Sequence, residues 1–160
     1  MAHSITNAIL GLVAALVLAG APPAHAREVP DWFAETILDA RDEAAEAAKQ
    51  GKRVMLYFWL EGCPYCQRMT STTFRDPAVL ERLKRNFVPV GINVRGDRDI
   101  GWSDGATLTE KQLTSALSIR GTPSIVFLDA QGAVASRLTG YVAPEQFVRT
   151  LDATIASWKR

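Results

Sequence analysis

The run Val54-Met55-Leu56-Tyr57-Phe58-Trp59-Leu60, followed directly by Glu61-Gly62-Cys63-Pro64-Tyr65-Cys66, constrains this chain more than any other segment. A continuous apolar and aromatic stretch of that length suits a strand buried on both faces, which requires helices packed above and below it. Glu61-Gly62 ends the run, and Pro64 opens a helix at the one place where its missing N–H costs nothing. Cys63 then falls at the N-cap. Residues three apart share a helix face, so Cys66 lies within disulfide reach of Cys63 with its own sulfur one turn deeper.

This placement has chemical consequences. Free backbone N–H groups and the positive end of the helix dipole favour a thiolate over a thiol at Cys63, which makes it the expected nucleophile. Cys66 becomes the expected resolving thiol, able to release a mixed disulfide on Cys63 without another protein group or cofactor. Two other readings compete, half of a soft-metal site for Cu(I) and an inert bridge. The inert bridge is weak, because a three-residue separation closes a tiny loop and removes little entropy from the unfolded chain.

The rest of the chain reads as alternating helices and strands. Asp31 to Gln50 carries Trp32, Phe33, Ile37 and Leu38 among charged residues and alanines before Gly51, which predicts an amphipathic helix. Helices are expected from Pro64 to about Thr72 and after Asp76-Pro77, and a second buried strand over Phe87 to Val94. Arg95 to Thr107 is rich in Gly, Asp and Arg with no apolar period and reads as a loop or insertion. Thr109 with Gln112 makes a capping box for a helix to Ser118, although Thr107 with Glu110 fits the same rule. Ser124 to Leu128 and Ala133 to Thr139 form a hairpin about Asp129-Ala130-Gln131-Gly132, and Pro144 starts a final helix. The expected fold is α/β, a parallel strand pair joined by a crossover and extended by an antiparallel hairpin.

Composition removes several function classes. The formal charge is +1 and basic residues are scattered, so no electrostatic footprint for nucleic acid is present. Ile9 to Ala19 is an apolar run followed by Pro22, Pro23 and Ala24-His25-Ala26, the order of a secretory signal with an A-x-A cleavage site. The run is shorter than the ~20 residues that span a bilayer, which favours a removed signal over an anchor. The expected organisation is a signal peptide over 1–26 and one domain over 27–160. Both histidines, His3 and His25, fall in the signal, so the mature chain would lack Ser-His-Asp, Cys-His and imidazole-metal chemistry.

Tyr57 to Cys66, Gly121-Thr122-Pro123-Ser124 and Gly140-Tyr141 before the last helix together resemble the thioredoxin superfamily, and most closely its bacterial periplasmic thioredoxin-like branch. The resemblance runs from about Arg53 to Trp158. It implies a thioredoxin fold, a central mixed sheet of four main strands flanked by helices, with the insertion before the helix that precedes a cis proline. It implies that Thr122-Pro123 is that cis bond, facing the cysteines, and that Thr122 and Pro123 contact an extended substrate segment by main-chain hydrogen bonds. Pro64 and Tyr65, between the cysteines, become further substrate contacts. Thioredoxins bury an Asp beneath the second cysteine and a Lys near it, whereas the matching positions here are Tyr57 and Gly91. Glu61 is then the nearest candidate for a proton relay to Cys66, the competing reading being a solvated loop charge.

The function expected is thiol-disulfide exchange on exported proteins in the periplasm, with cysteine-containing clients, no cofactor and no resident metal. The competing classes are a Cu(I) carrier, with Met69 as the nearest methionine, and an adaptor that uses the fold only for binding. Reduction is favoured over oxidation, because no histidine donates toward Cys63 and Glu61 disfavours its thiolate. Isomerases of this kind carry an added dimerising domain, for which the residues after Ala26 leave no room, so isomerisation is a less favoured alternative; no separate dimerisation segment is visible, so a monomer is expected. A membrane electron donor follows from the resemblance alone. Trp59 is expected near the site, Trp32 and Trp158 on apolar helix faces, and Trp102 either at the rim of the fold or in a partner contact.

Overall fold

The four strands of the main sheet lie in the order β2-β1-β5-β6 in a computed structural model that describes residues 29–34, 39–102 and 105–158. The elements are α1 (Ala40–Lys49), β1 (Arg53–Trp59), α2 (Pro64–Ser71), a 3₁₀ turn (Thr73–Arg75), α3 (Pro77–Asn86), β2 (Phe87–Asn93), β3 (Asp99–Gly101), β4 (Thr107–Thr109), α4 (Glu110–Ala116), β5 (Ser124–Leu128), β6 (Val134–Thr139) and α5 (Pro144–Trp158). The proposed signal segment lies outside the described residues.

β1 pairs parallel with β2 and antiparallel with β5, and β5 with β6 is the expected hairpin. Strand alternation divides the core into two layers. Leu56, Phe58, Val90, Ile92 and Val126 point to one face, against Ala40, Ala44 and Ala47 of α1 and Leu113 of α4. Met55, Tyr57, Phe87, Ile125 and Phe127 point to the other, against Met69, Phe74, Leu83, Phe147 and Leu151 of α2, the 3₁₀ turn, α3 and α5. β1, central and buried on both faces as its apolar run required, carries the cysteines out of the middle of the sheet.

Two expectations are corrected. The first helix begins at Ala40, not near Asp31. Asp39 caps it, its carboxylate accepting the N–H groups of Arg41 and Asp42 at 2.8 and 3.1 Å. Trp32 and Phe33 precede it in a turn, and Ile37 and Leu38 lie outside the described residues. Phe33 is buried with its ring 5.4 Å from Phe74 and 6.0 Å from Tyr57, so tertiary burial rather than helix formation claims this apolar pair. Trp32 is therefore not on a helix face. Ala34 bridges Val90 in parallel, its N–H donating to the Pro89 carbonyl at 2.8 Å.

The second correction concerns 95–107, which is not structureless: β3 and β4 pair antiparallel there, with Ile100 buried beneath them. Three-residue strands are too short to display a period in sequence. The hairpin is pinned by Glu110, which is 6% exposed and accepts from the Asn93 N–H at 2.9 Å and Arg98 Nη2 at 2.7 Å. Arg98 Nη2 also donates to the Gly91 carbonyl at 2.5 Å. Of the two possible caps for α4, Thr109 forms the full box with Gln112, while Thr107 is in β4. Trp102 is half-buried against the α1/α4 layer, which supports its place at the rim of the fold. Among the described residues no helix is long and apolar enough to cross a membrane.

Candidate active site

Leu60 and Gly62 turn the chain from β1 into α2: Gly62 takes φ +74°, a conformation that favours glycine, and the Cys63 N–H donates to the Leu60 carbonyl at 3.1 Å. Cys63 is the N-cap and Pro64 occupies the first helical position, as the sequence required. The Cys63 Sγ takes the place of a capping oxygen, accepting the Cys66 N–H at 3.2 Å. Cys63 and Cys66 are bonded to each other, with Cα atoms 5.2 Å apart. Their surroundings differ. Cys66, on the buried face of α2, is 1% exposed, whereas Cys63 is partly open to solvent.

The opposite wall comes from the loop before β5. The Thr122-Pro123 bond is cis, and the Thr122 hydroxyl donates to Cys63 Sγ at 3.3 Å. Gly140, after β6, donates its N–H to the Pro123 carbonyl at 2.8 Å, so this second loop is fastened to the first. The chain thus brings Cys63, Cys66, Pro64, Thr122 and Pro123 together. Tyr65 stands outward at the same helix start, 60% exposed and open to a partner. Glu61 is exposed on the turn before Cys63.

Tyr57 and Gly91, which match the thioredoxin Asp and Lys positions, are neighbours across β1 and β2. The buried Tyr57 hydroxyl donates to the Cys66 carbonyl at 3.3 Å, so a neutral hydroxyl lies below the second cysteine. A Cβ at Gly91 would stand 2.8 Å from Val29 Cγ1, which occupies the space a side chain there would need.

Sequence reasoning missed three contacts in this region. Arg68, on α2, places its guanidinium 4.3 Å from the centre of the Tyr141 ring, and the Tyr141 hydroxyl lies 3.4 Å from Thr72 Oγ1. The Thr73 hydroxyl donates to the Val142 carbonyl at 2.7 Å, a buried bond from the 3₁₀ turn after α2 to the loop before α5. Gly140-Tyr141 was visible only as a mark of resemblance, and nothing local in the sequence points from Tyr141 to Arg68. Among the described residues no cluster of three or more His, Cys, Asp or Glu gathers as a metal site would.

A cysteine pair at a helix start, one sulfur reachable and the other sealed, on a sheet of this order defines a protein-disulfide oxidoreductase. The chain belongs to the thioredoxin-like family: residues 40–155 match the family model described as a thioredoxin-like domain. It is 31% identical over 119 residues to the thiol:disulfide interchange protein DsbD of Yersinia pestis (strain Pestoides F), covering 73% of this chain and 18% of that protein. The chain therefore spans about a fifth of the length of this curated relative. Its fold superposes on the solution structure of a thioredoxin from Thermus thermophilus with TM-score 0.57 at 27% identity, covering 76% of this chain and 88% of that one. The C-terminal domain of Neisseria meningitidis DsbD in the oxidised form gives TM-score 0.52 at 18% identity, over 74% and 97% of the two chains, and shows the shared fold.

Proposed function

We propose that this protein is a periplasmic reductase of disulfides in exported proteins, acting as a monomer and recharged by a membrane electron donor. The observation that carries the reading is the asymmetry of the pair: Cys63 is reachable beside Thr122-Pro123, while Cys66 is sealed below it. The Cys63 thiolate attacks one sulfur of a client disulfide, that S–S bond breaks, and the other client sulfur leaves as a thiolate. The Cys66 thiolate then attacks Cys63, forming the Cys63–Cys66 bond and releasing the second client sulfur reduced, two electrons having passed to the client. Pro64, Tyr65, Thr122 and Pro123 hold the client strand, and Glu61, exposed on the turn before Cys63, is the candidate acceptor of the Cys66 proton.

Reduction is favoured over oxidation because strong oxidants stabilise their reduced thiolate heavily. Here the donors to Cys63 Sγ among the described residues are one backbone N–H and one hydroxyl, with no histidine between the cysteines. Export rests on the expected signal over 1–26, and the DsbD similarity supports thiol:disulfide interchange as the chemistry.

Two measurements test the reading. A Cys66→Ser variant is expected to accumulate client adducts on Cys63; adducts forming only when Cys66 is the remaining thiol would reverse the two roles. Equilibration with glutathione is expected to give a potential well below about −200 mV, and a value near the ~−120 mV of a strong oxidant would overturn the direction.

A further inference from the structure

We propose that Arg68, stacked on Tyr141, is a specificity-determining residue that selects client disulfides flanked by acidic side chains; the inference rests on the reductase reading and names the class of client. Three observations carry it. The first is position. Arg68 is four residues after Pro64 and three after Tyr65, so it stands on the same face of α2 as the two residues exposed beside the reactive sulfur. Its Cα lies about 7.5 Å along the helix axis from that of Cys63, within the span of its own side chain.

The second observation is how the side chain is held. The guanidinium rests 4.3 Å from the Tyr141 ring centre, and Tyr141 is fixed by Thr72 on one side and by Gly140, bonded to Pro123, on the other. The contacts therefore close a ring through α2, Tyr141, Gly140, Pro123, Thr122 and Cys63. Arg68 forms part of its rim, pre-positioned over an aromatic face. Holding the guanidinium in this way lowers the entropy lost when its N–H groups take a partner.

Charge supplies the third. Ion pairs occupy Lys49, Arg82, Arg85 and Arg98, but no carboxylate of the described residues pairs with the exposed Arg68. A guanidinium fork without an internal acid is matched best by a carboxylate, which it binds through two parallel hydrogen bonds. A client strand extended along Thr122-Pro123 advances about 3.3 Å per residue. An Asp or Glu two or three residues from the client cysteine therefore reaches Arg68.

The test uses three cyclic disulfide peptides identical except for Glu, Gln or Lys two and three residues from one cysteine, with hydroxyethyl disulfide as an uncharged reference. Second-order rate constants are measured for oxidation of the reduced full chain, and ratios are taken within each protein so that general effects cancel. In the wild type the Glu peptide is expected to react about fivefold faster than the Lys peptide, the scale of an exposed ion pair. The ratio should fall toward one in Arg68→Gln, invert in Arg68→Glu, and shrink in ~1 M salt, where the screening length is about 3 Å. Equal rates in the wild type, or a preference that survives Arg68→Gln, would overturn the inference and leave the reductase reading standing. Failure to reduce any of the four disulfides would overturn that reading and this inference with it.

Discussion

The hydroxyl of Thr122 lies 3.3 Å from the sulfur of Cys63, a contact between residues 59 positions apart that joins the loop before β5 to the start of α2. A hydrogen bond to a charged thiolate is stronger than one to a neutral disulfide sulfur, so this contact stabilises the reduced protein more than the oxidised one. Thr122→Val keeps the shape and removes the donor. It is expected to lower the reduction potential by roughly 20 mV, equivalent to about 1 kcal/mol for a two-electron couple. Glutathione equilibration of the two proteins side by side checks this.

Tyr141 offers a titration. Its phenol is held below the usual tyrosine range, first by the Thr72 hydroxyl and further by the Arg68 guanidinium over the ring. For an acid whose folded pKa is depressed, the resulting stabilisation is present above the unfolded value of about 10 and is lost as pH falls through the lower folded value. Ultraviolet difference titration against Tyr141→Phe should show Tyr141 ionising before an unperturbed tyrosine, and Thr72→Val should move it back upward.

Phe74 tests the layer beneath the cysteines. It is 1% exposed, with its ring centre 5.0 Å from that of Tyr57 and 6.0 Å from that of Phe147. Phe74→Ala is expected to cost about 3–5 kcal/mol, the range for emptying a buried aromatic site. Urea unfolding followed by tryptophan fluorescence measures it.

Gly96 tests the pin on the β3–β4 hairpin. A Cβ there would overlap the Glu110 carboxylate, so Gly96→Ala must displace it from Arg98 and from the Asn93 N–H. The expected cost is about 2 kcal/mol, below that of a fully buried pair because the Arg98 side chain is 36% exposed. Amide exchange should show the hairpin opening more readily, while β1 and β5 keep their protection.

Features set by neighbours in sequence were legible before the structure. β1, the Cys63 N-cap with Pro64, the Thr109-Gln112 box and the start of α5 at Pro144 all lie within a turn or strand of the residues that signal them. Features set across the fold were not. Phe33 carries a helical period yet is held by rings on β1 and the 3₁₀ turn, so α1 starts later than that period predicts. Arg98 falls in a stretch that reads as a polar loop and Glu110 in a possible capping box, and nothing near either residue reveals that Gly91, Asn93 and Gly96 surround them. The cis bond before Pro123 follows from resemblance and not from any local signal, and nothing in the sequence points to the Tyr141 ring over which Arg68 lies.

The contacts along the outer side of β2 determine where another chain can add to the sheet. Pro89 has no N–H to offer and its carbonyl is taken by Ala34; the Gly91 carbonyl is taken by Arg98, and the Asn93 N–H by Glu110. These are the groups a docking strand would need, and each is already spent on a partner too short or too irregular to serve as a template itself. β6, at the opposite end, is exposed over Ala135, Ser136 and Arg137. Any strand that adds to this sheet is therefore directed to β6, on the side of β5 remote from β2.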